Sequence, residues 1–243
     1  MNIAEILELN ERAKEDGKNF PRTRQLFSRI QSEVGRHFIG IVGPRGVGKT
    51  VMLKQLALAQ PNSFYLSADA APGADIFQTA RTLSEQYKVS ILLIDEIHFC
   101  KTYAKDLKKI YDFLKLRVVF TSSVSLSLFD SAYDLSRRIV LRHLYPFSFR
   151  EYLLFTKDIE IPELTLNDII EGRWTADHLR YNYLFDEYLR GGPIYVQRSY
   201  AETYQWFPIF DLTILKESKA PWNSSGNQAL TGSISHRFPK MWA

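Results

Sequence analysis

Residues 43–50 read Gly-Pro-Arg-Gly-Val-Gly-Lys-Thr, a complete match to the phosphate-binding pattern G-x-x-x-x-G-K-[ST]. Residues 38–42 before it are apolar and β-prone, and residues 51–58 after it carry apolar side chains at helical spacing. A strand, a glycine-rich loop and a helix, in this order, are the context in which such a loop holds phosphate. An accidental glycine turn is the alternative, and the flanking strand and helix argue against it. The stretch therefore predicts the first unit of a nucleotide-binding α/β domain.

The residue types of this loop suit a nucleotide with a bound magnesium ion. Glycines let successive backbone N–H groups turn inward around an anion, and the helix that follows adds its positive dipole end. Lys49 is placed to reach the β- and γ-phosphates, and the Thr50 hydroxyl is placed to bind Mg²⁺. The predicted contacts to ATP are Gly43, Pro44, Arg45, Gly46, Val47, Gly48, Lys49, Thr50 and Val51.

A second motif, Ile-Leu-Leu-Ile-Asp-Glu at residues 91–96, fits the first. Four consecutive apolar residues predict a strand buried on both faces of a parallel sheet, with Asp95 and Glu96 at its carboxyl end. Ligands of open α/β sheets bind at that edge, and paired carboxylates there need a nearby cation. We expect Asp95 to hold Mg²⁺, directly or through water, and Glu96 to orient or deprotonate the attacking water. Simple capping of the next helix is the alternative.

The length, composition and cysteine count of the chain limit the classes of protein to which it can belong. Its 243 residues, 45% hydrophobic and 24% charged, suffice for one substantial α/β domain and a small appended one. The single cysteine, Cys100, excludes an intramolecular disulfide and a cysteine-rich metal site. No apolar run is as long as a membrane span, and the acidic, amphipathic N-terminus is unlike a secretory signal. We therefore expect no membrane contact and, by default, a cytoplasmic location.

Predicted strands and helices alternate up to Pro146, a pattern typical of a parallel sheet with right-handed crossovers. The strands are expected at 38–42, 64–67, 90–95, 117–121 and 139–142. The helices are expected at 2–16, from about 26 to 35 with Val34 on the apolar face, from the phosphate loop to about 59, and at 75–87, 103–114 and 124–129. Beyond Pro146 the strand signal stops, and helices are expected at 148–155, 176–190 and 194–206.

These features resemble P-loop ATPases of the AAA superfamily, and more narrowly a bacterial and archaeal group with an AAA domain and an uncharacterised C-terminal domain. The narrower resemblance rests on residues 95–98, 118–123, 136–152 and 188–193, the third of which contains Pro-Phe-Ser-Phe-Arg-Glu. It implies an α/β three-layer sandwich with a five-stranded parallel sheet of order 5-1-4-3-2, followed by a small helical domain. The expected division is an N-terminal helical segment (1–36), the ATPase core (37–145), a helical lid-like domain (146–215) and a poorly ordered tail (216–243).

The resemblance also implies roles for particular side chains. Thr121 and Ser123 match the segment in which a polar residue senses the γ-phosphate and helps to place the attacking water, and either hydroxyl suits that role. Arg138 matches an arginine that could stabilise charge on the γ-phosphate of its own nucleotide or a neighbour's. His98 could contact substrate or a partner. The alternatives are strand-end capping for the hydroxyls, a solvated surface arginine and a packed or surface histidine.

Two departures from the group matter for the function. Arg137 and Ser122 stand where the group usually has glycine, which could alter the local turns. Members of the group are usually longer, so the chain resembles a C-terminally shortened form. ATP binding is then well supported, whereas the task that ATP turnover serves is open.

The leading expectation is Mg²⁺-dependent ATP hydrolysis coupled to an unknown protein partner. A nucleotide-gated switch with little turnover is the second, and a small-molecule kinase the third, which the water-activating pair Asp95 and Glu96 disfavours. ATP is preferred to GTP because the guanine-reading Asn-Lys-x-Asp motif is absent. Assembly into a homo-oligomer would be required if Arg138 acted on a neighbour.

Binding of nucleic acid is a weaker expectation, since a solvated helix face explains the lysines at 101, 105, 108, 109 and 115 more simply.

Overall fold

The computed structural model describes residues 3–70, 73, 75–123 and 135–190. These residues form a five-stranded parallel sheet in the order β2-β3-β4-β1-β5, with helices on both faces. Read from the other edge, this is the expected order 5-1-4-3-2, so the predicted fold class is confirmed. The strands are β1 (Phe38–Val42), β2 (Ser63–Ser67), β3 (Ile91–Asp95), β4 (Arg117–Ser122) and β5 (Ile139–His143).

Helices α2 and α3 cover one face of the sheet, α4 and α5 cover the other, and α1 lies along the edge strand β2. Within the described ranges, no helix is long and apolar enough to cross a membrane. The helices are α1 (Ile3–Lys18), α2 (Gln25–Ser32), α3 (Lys49–Ala59), α4 (Ile76–Tyr87), α5 (Tyr103–Phe113), α6 (Phe149–Lys157), α7 (Leu166–Ile170), α8 (Ala176–Leu179) and α9 (Phe185–Leu189), with 3₁₀ turns at Ile97–Phe99 and Asn182–Leu184.

Strand β1 is tightly packed on both faces, which fixes the position of the loop that follows it. Ile39 and Ile41 point into the apolar cluster beneath α2 and α3, whereas Phe38 points into the cluster beneath α4 and α5. This alternation is the two-residue period of a strand. Gly40 has no room for a side chain, because a Cβ there would lie 2.7 Å from side-chain atoms of Phe120 and Leu141. The central strand therefore cannot shift without disturbing both layers.

Helix α1 protects the exposed edge of the sheet. The side chain of Asn10, which is only 3% exposed, accepts a hydrogen bond of 2.8 Å from the backbone N–H of Tyr65 in β2. An edge strand otherwise presents unpaired backbone groups to solvent. At its other end α1 runs close against α3, where a Cβ on Gly17 would lie 2.8 Å from the Lys54 carbonyl oxygen. The N-terminal helix is thus packed against the sheet and α3.

The structure departs from the sequence expectations at three helices. Helix α2 ends at Ser32, and extended backbone at Glu33 carries Val34 out of the helix, where it is 94% exposed. The single helix expected at 176–190 is divided into α8, a 3₁₀ turn and α9. Helix α7 was not expected. The helices expected at 124–129 and 194–206, and the tail expected at 216–243, lie outside the described residues.

The helices after β5 have a small apolar core of their own. Phe147, Tyr152, Leu153 and Ile161 are buried together, with further aromatic side chains from α9 packed against them. Helix α6 begins with a capping box, in which the Ser148 hydroxyl accepts from the backbone N–H of Glu151 and the Glu151 carboxylate accepts from the backbone N–H of Ser148. The Pro-Phe-Ser-Phe-Arg-Glu segment is therefore the start of α6.

A buried ion pair joins α6 to the sheet domain. Arg24, just before α2, donates from Nε and Nη2 to the two carboxylate oxygens of Glu151 at 2.7 and 2.8 Å, and each side chain is 7% exposed. Burial by itself would raise the pKa of Glu151, but the hydrogen bonds and charge of Arg24 outweigh burial and hold that pKa below its ordinary value. Loss of one partner would leave the other charge buried and unpaired.

The Glu151→Gln substitution tests the contribution of this pair to stability. At neutral pH we expect the free energy of unfolding to fall by up to about 3–5 kcal/mol, the cost of breaking a buried pair. Because folding lowers the pKa of Glu151, its stabilising effect is complete above the ordinary value of 4.5 and is lost as the pH falls through the lowered pKa. The difference between the variant and the parent should therefore shrink below pH 4.5, as measured by chemical denaturation.

The control is Asp158→Asn, which removes an ion pair with Arg22 at the exposed end of α6, where the carboxylate is 79% exposed. This change should cost no more than about 1 kcal/mol. A stability difference for Glu151→Gln that stays constant across the acid range would contradict the role given to the ionised pair.

Candidate functional site

The carboxyl ends of three adjacent strands bring the predicted site residues together. Strand β1 leads into the phosphate loop, β3 ends at Asp95, and β4 ends at Ser122. Because β4 lies between β1 and β3 and all three are parallel, their carboxyl ends meet at one edge of the sheet. Ligands of open α/β sheets bind at this edge. Lys49, Thr50 and the polar side chains that follow β3 and β4 therefore occupy one site.

The phosphate loop has a backbone that only glycine adopts readily. Gly46 and Gly48 have φ angles of +83° and +93°, and such turns direct successive N–H groups toward an anion. Gly43 is required for a different reason, since a Cβ there would lie 2.2 Å from the carbonyl oxygen of Leu144 in the chain leaving β5. Gly48 caps α3, so the N-terminus of this helix faces the loop.

Lys49 is a buried ammonium group inside this loop. It is 4% exposed, and its Nζ donates hydrogen bonds of 2.9 Å to the carbonyl oxygens of Gly43 and Pro44. Burial lowers its pKa, and the nearby carboxylates Glu96 and Asp95 partly offset that effect. The distance from Nζ to Glu96 Oε1 is 3.9 Å. An ammonium group at this position of the motif suits the phosphate oxygens of a nucleotide.

Asp95 is surrounded by hydroxyl groups. It is 4% exposed; Thr121 Oγ1 donates to one carboxylate oxygen, and the Tyr65 hydroxyl donates to the other at 2.9 Å. Burial raises the pKa of Asp95, whereas the hydrogen bonds from Thr121, Thr50 and Tyr65 act to lower it. The Thr50 hydroxyl thus lies beside Asp95, as expected for two residues that share a metal ion.

Tyr65 was not predicted to take part in the site. It lies in β2, two residues before Ser67, which pairs with Asp95, so Tyr65 and Asp95 face the same side of the sheet. Burial, the charge of Asp95 and the hydrogen bond to it all raise the pKa of the phenol, so Tyr65 remains a proton donor to the carboxylate. Recognition of this residue from the sequence would have required the strand register of β2 against β3.

Glu96 has a strained backbone and a fixed side chain. Its φ and ψ of 49° and 51° are left-handed, an arrangement that costs an ordinary residue about 1–2 kcal/mol and is often found at functional sites. Its backbone N–H donates to Thr121 Oγ1 at 2.9 Å. Its carboxylate accepts from the backbone N–H and the hydroxyl of Ser123 at 3.1 and 3.0 Å. Thr121 and Ser123, which the sequence could not separate, therefore contact different parts of the Asp-Glu pair.

His98 lies beside the same carboxylate. Its Nδ1 is 3.2 Å from Glu96 Oε2 and 3.3 Å from the hydroxyl of Ser122, and the side chain is 15% exposed. The sequence left two alternatives for His98, contact to substrate or a partner and a packed or surface histidine. The 3₁₀ turn that follows Glu96 brings the ring back toward the end of β4. Ser123 thus holds Glu96 Oε2 by two hydrogen bonds, and His98 lies beside the same oxygen.

Arg138 is at the opposite edge of the sheet. Its carbonyl oxygen accepts from the backbone N–H of Phe38, the first residue of β1, and its guanidinium contacts Asp112 at 3.2 Å. The five residues of β1, about 16 Å at some 3.3 Å per residue, separate Arg138 from the phosphate loop. Arg138 therefore lies far from the phosphate loop of its own chain, which disfavours action on that nucleotide. Action on a neighbour's nucleotide stays a prediction.

The residues at the loop edge fit a nucleotide with a magnesium ion. The glycine turns, the N-terminus of α3 and Lys49 suit phosphate groups, and Asp95 with Thr50 supplies hard oxygen ligands. In the part of the chain that the structure describes, no group of three His, Cys, Asp or Glu side chains converges on a metal site of its own. A cation held here would share its coordination with phosphate oxygens, as Mg²⁺ commonly does in nucleotide sites.

Comparisons with solved structures give weak similarity. One is to PCH-2 of C. elegans, with a TM-score of 0.40, 16% identity, and coverage of 79% of this chain and 56% of that chain. Another is to the Walker-type ATPase PABY2304 of Pyrococcus abyssi, with a TM-score of 0.41, 17% identity, and coverage of 74% and 71%. Similarity of this degree carries no argument about what the chain binds or does.

Comparisons of sequence give stronger similarity. The uncharacterized protein MJ1637 of Methanocaldococcus jannaschii is 32% identical over 181 residues, which cover 65% of this chain. The chain spans only 38% of the length of that relative. The family model described as AAA domain matches residues 35–153, a range that contains the phosphate loop, the Asp-Glu pair and the start of α6. Residues 35–153 of this chain are therefore similar to the AAA domain family, and this match supports a P-loop ATPase.

Proposed function

We propose that this AAA domain binds ATP with Mg²⁺, hydrolyses it, and acts through the helices after β5 on a protein partner. The observation that carries the proposal is the convergence of a buried lysine, a buried aspartate and a strained glutamate at one edge of the sheet. Lys49 is an ammonium group and Asp95 and Glu96 are carboxylates, and each of the three suits one requirement of phosphoryl transfer to water.

Substrate binding would begin at the phosphate loop. The turned N–H groups of the loop and the N-terminus of α3 bind phosphate oxygens, and Lys49 exchanges its bonds to the carbonyl oxygens of Gly43 and Pro44 for bonds to the β- and γ-phosphates. Thr50 and Asp95 would hold Mg²⁺, which when bound supplies positive charge against the phosphate oxygens. Thr121 and Tyr65 keep the Asp95 carboxylate in its orientation.

Glu96 would then activate the attacking water. A carboxylate at this place accepts a proton as the water oxygen approaches the γ-phosphate. Ser123 and His98 fix the orientation of the carboxylate through Oε2 and leave Oε1 on the side of Lys49. Because the carboxylate is oriented before the reaction, less reorganisation is needed at the transition state.

A nucleotide-gated switch with little turnover is the second candidate, and a specific observation favours it. The Glu96 carboxylate already accepts bonds from the N–H and hydroxyl of Ser123 and lies 3.2 Å from His98. If these bonds must break before the Glu96 carboxylate takes up a proton, turnover would be slow and the bound state long-lived. The switch and the ATPase share the same bound state and differ only in the rate of turnover.

Other partners are proposals of lower weight. A homo-oligomer would let Arg138, whose side chain is 23% exposed, approach the nucleotide of a neighbouring copy. Nucleic acid would need a basic surface on α5, but Lys109 packs over the ring of Phe77, with Nζ 5.1 Å from its centroid. Salt-dependent binding to DNA or RNA would support that surface as a contact site.

Two substitutions separate ATP binding from hydrolysis. Glu96→Gln should retain ATP binding and lower the turnover rate by about 10²–10⁴-fold, the usual contribution of a general base. Lys49→Ala should lose binding as well, because it removes the cation of the phosphate loop. Phosphate release measures turnover, and a fluorescent ATP analogue measures binding.

The matched controls are Glu85→Gln and Lys105→Ala on exposed helix positions away from the loop, both of which should behave as the parent. If Glu96→Gln hydrolyses ATP at the parent rate, Glu96 is not the base.

The two hydroxyls at the end of β4 should give different kinetic effects. Thr121→Val removes the donor to Asp95, so a higher Mg²⁺ concentration should be needed for half-maximal turnover and for tight ATP binding. Tyr65→Phe should act in the same direction, since it removes the other donor. Ser123→Ala should instead lower the maximal rate, by about tenfold for one lost hydrogen bond to a charged group, and leave the Mg²⁺ dependence unchanged. Titration of Mg²⁺ at saturating ATP distinguishes the two patterns, and identical Mg²⁺ curves for all three variants would refute this division of roles.

A further inference from the structure

Residues 20–25 connect α1 to α2 and include the first residue of α2; they contact both the phosphate-loop side of the domain and α6, and we refer to them as the bridge segment. Their sequence is Phe-Pro-Arg-Thr-Arg-Gln. Neither the phosphate-loop motif nor the Asp-Glu motif includes them. The contacts of the two arginines in this segment, Arg22 and Arg24, carry the inference.

On one side the bridge segment is hydrogen-bonded to the phosphate loop and to α3, the helix that follows the loop. Arg24 Nη1 donates a hydrogen bond of 2.7 Å to the carbonyl oxygen of Val47, within the loop. Gln55 of α3 is 5% exposed, and its Nε2 donates to the carbonyl oxygens of Phe20 and Arg22 at 2.6 and 2.8 Å. A shift of the loop relative to the bridge segment would break a buried charged bond.

The bond from Arg24 also determines where one N–H group of the loop points. Val47 C=O and Gly48 N–H belong to the same trans peptide unit, and in a trans unit the two groups point in opposite directions. Because Arg24 binds the carbonyl oxygen, the Gly48 N–H is turned to the side away from Arg24. Arg24 thus fixes the orientation of one peptide unit of the phosphate loop.

On its other side the bridge segment holds both ends of α6. At the first turn, Arg24 pairs with Glu151, and the backbone N–H of Gln25 donates to Glu151 Oε1 at 3.2 Å. At the last turn, Arg22 Nη1 donates to the carbonyl oxygens of Leu154 and Phe155 at 2.9 and 2.7 Å. The guanidinium of Arg24 further stacks on the ring of Phe147, with Cζ 3.9 Å from its centroid.

The guanidinium of Arg24 therefore donates hydrogen bonds both to the phosphate loop and to α6. Its bonds reach Val47 O, both oxygens of Glu151 and the Tyr145 carbonyl oxygen, and the side chain is 7% exposed. A planar guanidinium keeps its donors in a fixed relative geometry. If the Val47 carbonyl moves, the Arg24 guanidinium has two alternatives. It follows the carbonyl and displaces Glu151, or it stays in place, buried, without its hydrogen bond to Val47.

We propose that Arg24 is a positioning residue for the phosphate loop and that the Arg24–Glu151 pair transmits ATP binding from the loop to α6. The proposal rests on the proposed function, since it requires ATP at the loop. Under this proposal the segment Pro-Phe-Ser-Phe-Arg-Glu has a second role besides starting α6. Through Glu151, the helices after β5 respond to nucleotide binding at the loop.

Hydrogen–deuterium exchange of the full chain tests the proposal, with and without a non-hydrolysable ATP analogue and Mg²⁺. In the parent, the analogue should slow exchange in the phosphate loop (43–50) and in α6. In the double variant R24M/E151L, apolar side chains of similar size replace the pair, so neither charge is left buried without its partner. At saturating analogue its loop should still be protected, whereas the added protection of α6 should be lost. Affinity for the analogue should fall by about tenfold, the equivalent of one charge-assisted hydrogen bond.

The matched control is Asp158→Asn, which removes an exposed bond to Arg22 at the same helix and leaves Arg24 intact. Both protections should persist in this variant. Glu151→Gln, which keeps an acceptor for Arg24 but not the charge, is the second test variant and should lose part of the added α6 protection. A thermal melt of each variant checks that it is folded.

The outcomes are distinguishable. Protection of the loop without any change at α6 in the parent overturns the coupling and leaves ATP binding intact. Full α6 protection in the double variant at saturating analogue also overturns it. Absence of protection in the parent loop contradicts the proposed function itself, and the coupling with it.

Discussion

Burial of opposite charges at the carboxyl edge of the sheet is the constraint on which the rest of the site depends. Lys49 and Asp95 are each 4% exposed, and an isolated charge at such a position is costly. The strand order places them at the same edge, with Glu96 Oε1 3.9 Å from the Lys49 ammonium and three hydroxyls around Asp95. The sheet therefore assembles opposite charges and hydroxyl groups that are stable together in a buried place.

Outside this edge, buried polar contacts join the surrounding helices to it. The side chain of Asn10 in α1 accepts a hydrogen bond from the backbone N–H of Tyr65, which would otherwise be unpaired at the edge of β2. Because the Tyr65 hydroxyl donates to Asp95, α1 stabilises a strand that contributes to the site. Arg24 connects the phosphate loop with Glu151 in α6. Each link uses a polar group in a buried place, where a lost partner is expensive. The helices on both sides are thus tied to the nucleotide edge by directional bonds as well as by apolar packing.

Local sequence patterns predicted the strands and helices whose bounds depend on neighbouring residues. They missed site residues whose role depends on strand order or on contacts with distant parts of the chain. The bounds of β1 and α3 follow from apolar periodicity and the glycine loop, and the predicted sheet order is confirmed. Tyr65 and Arg24 could not be found in this way, because their partners are 30 and 127 residues away in the chain. Arg138 shows the converse limit: a motif identified the residue, but only the register of β5 against β1 shows which edge it occupies.

The most direct test of the account is multiple-turnover phosphate release from ATP in isotopically labelled water, with Mg²⁺ and a large excess of ATP over the chain. Hydrolysis assisted by Glu96 predicts sustained release, many phosphates per chain, each carrying one oxygen from the solvent. Release that stops at one phosphate per chain would contradict the ATPase and leave the switch. Disappearance of ATP without labelled phosphate would show that the γ-phosphoryl group goes to an acceptor other than water.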